Sequence, residues 1–169
     1  GWFIGTEKVD QIELGSTGNV ELTAHWTLIE YTIAYENTKS VTNSNPVKYT
    51  IESNTITLEN LEKLGYTFNG WYNGAEKVTS IEKGSGNITL TADWTVNGYE
   101  ITYYNIDGAT NTNPDVYDVE DEPLTLLDAS KAGYTFIGWY TDSEFKNEIE
   151  TITVGTIGDK DLYAKWEII

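Results

Sequence analysis

The sequence predicts an α+β protein, predominantly β: tandem small domains, each a four-stranded mixed sheet with a short helix. Three observations carry that expectation. An octapeptide, Gly-Tyr-Thr-Phe-Asn-Gly-Trp-Tyr at 65–72, returns 68 positions later at 133–140 with Ile137 in place of Asn69, and its tail survives as Gly1-Trp2-Phe3. A stretch this aromatic, recurring at one period, marks a small folded unit copied along the chain. Next, each copy closes on a phrase that alternates apolar and polar residues, Leu-Thr-Ala-x-Trp at 22–26 and 90–94 and Leu-Tyr-Ala-x-Trp at 162–166, which is the period of a half-buried strand. Finally, the segments 60–64 and 128–132 could each form a turn of helix before Gly65 or Gly133, and 75–81 and 143–149 could each hold a short helix.

Cutting the chain after each closing Trp makes residues 1–26 the C-terminal half of a truncated repeat, 27–96 one complete repeat and 97–169 another. Because it opens in mid-repeat, the chain reads as part of a longer array. In the closing strand Leu90, Ala92 and Trp94 share the inner face, and Thr89, Thr91 and Asp93 the outer one. A four-residue joint follows, 27–30 or 95–98, and then an alternating strand, 31–35 or 99–103, rich in β-branched and aromatic residues. Loops at 36–45 and 105–113 end on Asn45-Pro46 and Asn113-Pro114. Further strands are expected at 47–52 and 116–119, with 55–58 and 123–127 leading to the octapeptide. The octapeptide is itself a strand, with Tyr66, Phe68 and Tyr72 on one side and Thr67, Asn69 and Trp71 on the other. Gly70 marks a bulge or a close backbone approach. The third copy is four residues longer between Trp139 and Trp166 than the second is between Trp71 and Trp94, which places the extra length in an exposed connection.

Formal net charge is −17 and the isoelectric point about 4.1. Phosphate backbones and anionic lipid repel such a chain, so nucleic acid is excluded as a partner. No stretch approaches the apolar length of a membrane span, so no membrane insertion is expected of this segment. With no cysteine there is neither disulfide nor thiol chemistry.

The combination of Tyr-x-Ile-x-Tyr, Gly-Tyr-Thr-Phe-x-Gly-Trp-Tyr and Leu-x-Ala-x-Trp resembles the Listeria–Bacteroides repeats, also called internalin-B-type B repeats, over essentially the whole chain. The resemblance implies a compact β-grasp fold similar to ubiquitin and SUMO. It implies tandem display in cell-surface or secreted proteins of Gram-positive bacteria and gut anaerobes, an adhesive or spacer role, and no enzymatic one. The chain departs from the pattern in its truncated first copy and in Lys160, where Val20 and Ile88 stand elsewhere.

Nothing in the sequence assembles a catalytic set. His25 lies on the variable outer face, replaced by Asp93 and Lys165 in the other copies, as a solvated side chain would be. The acidic groups 118–122 and 142–144 lack the loop spacing of a calcium site and read as solvated acid, so no metal or cofactor is expected. Two readings of the aromatics stand side by side. Trp71 and Trp139, with Asn69 and Ile137, could form a contact surface for a host or cell-surface glycan or protein. Alternatively the rings are core, because a unit of about 70 residues has little interior and needs its largest side chains there. Tandem neighbouring repeats are the remaining expected partners.

Overall fold

The computed structural model describes residues 1–84 and 86–169. The chain begins with β1 (Trp2–Ile4), β2 (Glu7–Val9) and β3 (Thr23–Ala24), which pair in the order β2-β1-β3. The second copy supplies β4 (Tyr31–Glu36), β5 (Lys48–Tyr49), β6 (Ile56–Thr57), β7 (Tyr66–Asn73), β8 (Glu76–Val78), β9 (Ser80–Ile81) and β10 (Ile88–Val96). The third supplies β11 (Tyr99–Tyr104), β12 (Val116–Tyr117), β13 (Leu124–Thr125), β14 (Tyr134–Tyr140), β15 (Glu148–Ile149), β16 (Thr151–Ile152) and β17 (Lys160–Ile168). The two complete copies share one topology: a five-stranded sheet, β5-β4-β10-β7-β8 or β12-β11-β17-β14-β15, and a two-stranded ribbon, β6-β9 or β13-β16. Each sheet is mixed, since β10 runs parallel to β4 and antiparallel to β7, and β17 likewise to β11 and β14.

The described residues contain no helix, so the fold is all-β and the α+β, β-grasp expectation with a short helix per domain is overturned. The reason at 60–64 and 128–132 is competition for backbone groups. A helix there would need the carbonyl of Glu59 as an acceptor, but it receives the Trp71 indole N–H at 2.9 Å and the Asn45 amide at 3.0 Å. The Glu59 N–H is itself held by Asn45 Oδ1 at 2.7 Å. In the third copy Leu127 is gripped the same way by Trp139 and Asn113. These segments therefore stay irregular, and Leu58 and Leu61 are buried in one core with Ile81 of the ribbon.

At 75–81 the outcome is a hairpin, because the two-residue turn Gly74-Ala75, with Gly74 at φ 62°, leads β7 directly into β8 with Asn73 opposite Glu76. The longer 141–147 turn of the third copy is closed by Asp142, whose carboxylate accepts backbone N–H groups from Glu144, Lys146 and Asn147. Three of the four extra residues of that copy fall in this turn. The connection 73–87 includes Ser85, which lies outside the described residues.

The closing strand follows the alternation: Leu90 and Ala92 are buried with Trp94 packed against them, as are Leu162 and Ala164 with Trp166. The octapeptide does not alternate throughout. Opposite β10, Gly70 pairs with Asp93 and Phe68 with Trp94, so Asn69 is an extra, bulged residue. Ile137 is its equivalent between Phe136 and Gly138. The bulge resets the pleat, and Phe68 and Trp71 enter the core together with ring centroids 5.5 Å apart.

Residues 1–26 show what the rest of a repeat contributes. Their closing phrase matches β10 and β17, each nine residues long, yet it makes a strand of two residues. In the complete copies this strand gains a parallel partner, β4 or β11, and a long antiparallel one, β7 or β14. Here β1 offers only Trp2 and Phe3 as partners. Trp2 is consequently 55% exposed and Trp26 91%.

Two outcomes are expected. Trp71→Phe, which removes the indole hydrogen bond and part of the ring, should cost about 1–4 kcal/mol. It should accelerate amide exchange in β10 but not in β17, and residue-resolved hydrogen exchange checks this; equal acceleration in β17 would contradict separate cores. Second, burial pushes the Tyr35 phenol up to about 12, and burial with the nearby Asp115 charge does the same for Tyr103. Because the folded state holds these protons beyond the ordinary tyrosine range, their stabilisation is complete below about pH 10. It is lost as pH rises towards 12. Alkaline titration should show tyrosinate absorbance from these two residues rising together with unfolding, and Tyr35→Phe should reduce the steepness of the loss.

Candidate functional site

The sequence offers four candidate contact residues, and the structure distributes them over two environments. Trp71 and Trp139 are 1% and 2% exposed, at the centre of their cores. Each indole meets a tyrosine of the first strand edge-on at 4.9 Å, Tyr35 or Tyr103, and a phenylalanine of its own strand, Phe68 or Phe136. The edge-to-face contacts continue from Phe68 to Trp94 and on to Tyr66, and from Phe136 to Trp166 and Tyr134. Asn69 and Ile137 face away from those rings. The Asn69 amide donates to Asp93 Oδ2 and Thr95 Oγ1, both at 2.9 Å, on the outer face of β10. Ile137 has an apolar side chain at that position and is exposed. The bulge thus puts Asn69 on the opposite face from Trp71, and Ile137 on the opposite face from Trp139.

The outer faces of the two sheets differ in chemistry. The second copy presents Asn69, Asp93 and Thr95, and the third Ile137, Lys165 and Glu167. His25 in the first copy stacks on Phe3 at a centroid distance of 4.2 Å. Among the described residues no group of three or more His, Cys, Asp or Glu converges as a metal site would require. The acidic segments serve their own turns. Asp118 Oδ1 accepts the N–H groups of Glu120 and Asp121, Asp121 Oδ2 accepts that of Asp118, and Asp142 closes the turn described above.

A polar cluster spans the junction between the second and third copies. Glu120 Oε1 accepts hydrogen bonds from Lys39 Nζ at 2.9 Å and from the Tyr66 hydroxyl at 2.8 Å. Lys39 also sits 4.5 Å from the centre of the Tyr66 ring, Lys63 approaches the same ring, and Lys63 donates to the Lys39 carbonyl. The hydrogen bonds from Lys39 and then Tyr66 hold the Glu120 carboxyl below its ordinary range. The hydrogen bond to Glu120 raises Lys39 and Tyr66 in turn. The joint itself is shorter than the expected four residues: β10 runs on to Val96, opposite Tyr66, leaving Asn97 and Gly98 between the strands.

The residues that sequence reasoning passed over are Asn45 and Asn113, read simply as loop. Each clamps the crossover backbone that holds the buried indole, and each is braced by an asparagine two positions earlier, Asn43 or Asn111. The signal was present as Asn-x-Asn-Pro at 43–46 and 111–114.

Comparison with known proteins finds relatives of these repeats. A protein of Evansella cellulosilytica (strain ATCC 21833) named "Putative Gly-rich membrane protein" is 31% identical over 99% of this chain, which spans 19% of that protein. A second Evansella cellulosilytica protein is 36% identical over 63% of the chain. Internalin H of Listeria monocytogenes serovar 1/2a is 38% identical over 46% of the chain, across 15% of its own length. The chain therefore corresponds to less than a fifth of each of these relatives. No solved structure matches it. Residues 31–96 and 99–165 each match the Listeria-Bacteroides repeat domain, and the chain belongs to that family.

Proposed function

We propose that this chain is a non-catalytic repeat segment of a bacterial cell-surface or secreted protein, acting as a stalk and adhesive spacer built from pieces 1–26, 27–96 and 97–169. The observation that carries the reading is the burial of the hallmark indoles, with each N–H bound to a backbone carbonyl of its own copy. The most recurrent side chains hold each copy together, and the outer faces share no single constellation of groups. A spacer requires only that every copy fold and that its surface stay dispersed in water, which a net charge of −17 favours. The relatives include a protein named as a membrane protein and an internalin, and both names fit display outside the cell. Repetition along a stalk multiplies weak contacts without needing a strong site in any one copy.

The competing use, glycan or host-protein recognition, falls to Asn69 and Ile137 on the outer faces, since Trp71 and Trp139 are enclosed. One experiment separates the two. The 169-residue chain is applied to glycan and host-protein arrays, and it is also placed between a bacterial surface anchor and a reporter domain. The expected result is no saturable binding, with the reporter more accessible to a bulky antibody than on a glycine-serine linker of equal length. Saturable binding lost in Asn69→Ala or Ile137→Ala, with folding intact, would replace the spacer by a recognition module.

A further inference from the structure

The two complete copies meet through a contact whose two halves recur in each copy. On the third copy the projecting half is a corner, Val119-Glu120; on the second the receiving half is a socket formed by Gly65, Tyr66, Lys63 and Lys39. Gly65 is buried, and a β-carbon added to it would overlap both methyl groups of Val119. Glu120 then receives Lys39 and Tyr66. Gly65 N–H and C=O lie at the start of β7, and its carbonyl accepts Asn97 N–H from the joint at 2.9 Å.

Among the described residues, the same halves recur undocked. Shifted by one repeat, the corner is Ile51-Glu52, with Ile51 59% exposed, and the socket is Gly133, Tyr134 and Lys131. Gly133 has nearly the same backbone as Gly65, with φ of 80° against 81°, yet nothing lies within 4 Å of a β-carbon placed on it. Lys131 is poised 4.8 Å from the centre of the Tyr134 ring, and the Gly133 carbonyl already accepts Ile169 N–H as Gly65 accepts Asn97 N–H. One residue differs. Asp107 stands at the sequence position of Lys39 in the loop after the first strand, so the bare socket lacks the ammonium that Glu120 meets and has an acidic residue at that position.

We propose that Gly65-Tyr66 and Gly133-Tyr134 are docking sockets that fix the angle between successive repeats, and that the Gly133 socket takes the corner of a further repeat bearing a β-branched residue followed by a basic or neutral one. The occupant follows from continuity with the contact between the two copies and from the sign of Asp107. The corner of a second copy of this chain carries Glu52 and meets like charge there. Docking is a property of linked repeats: one apolar side chain in a glycine notch and one exposed ion pair are a weak contact, which a two-residue joint keeps formed by holding the halves at high local concentration. The inference rests on the spacer reading for its purpose, because a stalk gains reach from fixed angles.

The test uses the absence of native cysteine. Spin labels at Glu76→Cys and Glu150→Cys report the distance distribution between the two copies in the full chain. Gly65→Ala and Gly133→Ala impose the same positive-φ strain, but only the first strikes Val119. The expected result is a narrow distribution in the parent and in Gly133→Ala, and one roughly twice as wide in Gly65→Ala, as for domains released from an interface. Equal widths in the two variants, or a broad parent, overturn the dock while leaving the array and reporter results untouched. In a chain extended after Ile169 by another copy of 98–169, a Val-Lys corner should give a narrow distribution between third and fourth units and a Val-Glu corner a broad one. Identical widths overturn the charge rule, and concentration-dependent dimerisation of the unextended chain overturns the exclusion of a second copy.

Discussion

An indole at the centre of so small a sheet imposes one requirement on everything around it: its N–H has to be satisfied without water. Trp71 and Trp139 meet it with the carbonyls of Glu59 and Leu127, and those carbonyls are in place because Asn45 and Asn113 hold the same backbone from the other side. The crossover between the parallel strands is thereby held in a non-helical path. Its Leu58 and Leu61, or Leu126 and Ala129, complete the core from above. A helix would withdraw the very carbonyl the indole depends on.

The bulge at Asn69 and Ile137 is the second consequence of the same demand. Phe68 and Trp71 are three residues apart, and strict alternation would send them to opposite faces. One extra residue opposite β10 brings both rings to the core and turns the bulged side chain outwards. Past the bulge the pairing continues to Tyr66 opposite Val96, carrying β10 almost into the first strand of the following copy. The packing of one repeat therefore reaches the geometry of the array: the strand that buries Trp94 also delivers the joint, and Tyr66, at the end of the edge-to-face chain of rings, is the residue that meets Glu120.

A protein organised this way keeps its recurrent chemistry inside and its variable chemistry outside. Acidic side chains that read in sequence as merely solvated are committed to turns, as Asp118 and Asp142 show. The recurrent Trp71 and Trp139, which suggest a sugar-stacking surface in sequence, are committed to two cores. What is left to face the surroundings is a dispersed negative surface and, at the junction between the two complete copies, a small set of matched groups.

The sequence by itself determined the repeat, its period, the closing strands with Leu90, Ala92 and Trp94 inward, and the strand at 65–72, because those features are local patterns of alternation and recurrence. It also contained, unread, the Asn-x-Asn-Pro clamp. Tertiary structure decided the rest. Whether 60–64 becomes helix depends on a carbonyl claimed by an indole 12 positions away, a competition that local propensity does not register. The face on which Trp71 lies depends on a bulge defined by the partner strand. Residues 22–26 and 90–94 carry nearly the same phrase, but one belongs to a nine-residue strand and the other contributes two residues to a strand, since β-structure takes its stability from neighbours that the first 26 residues do not supply.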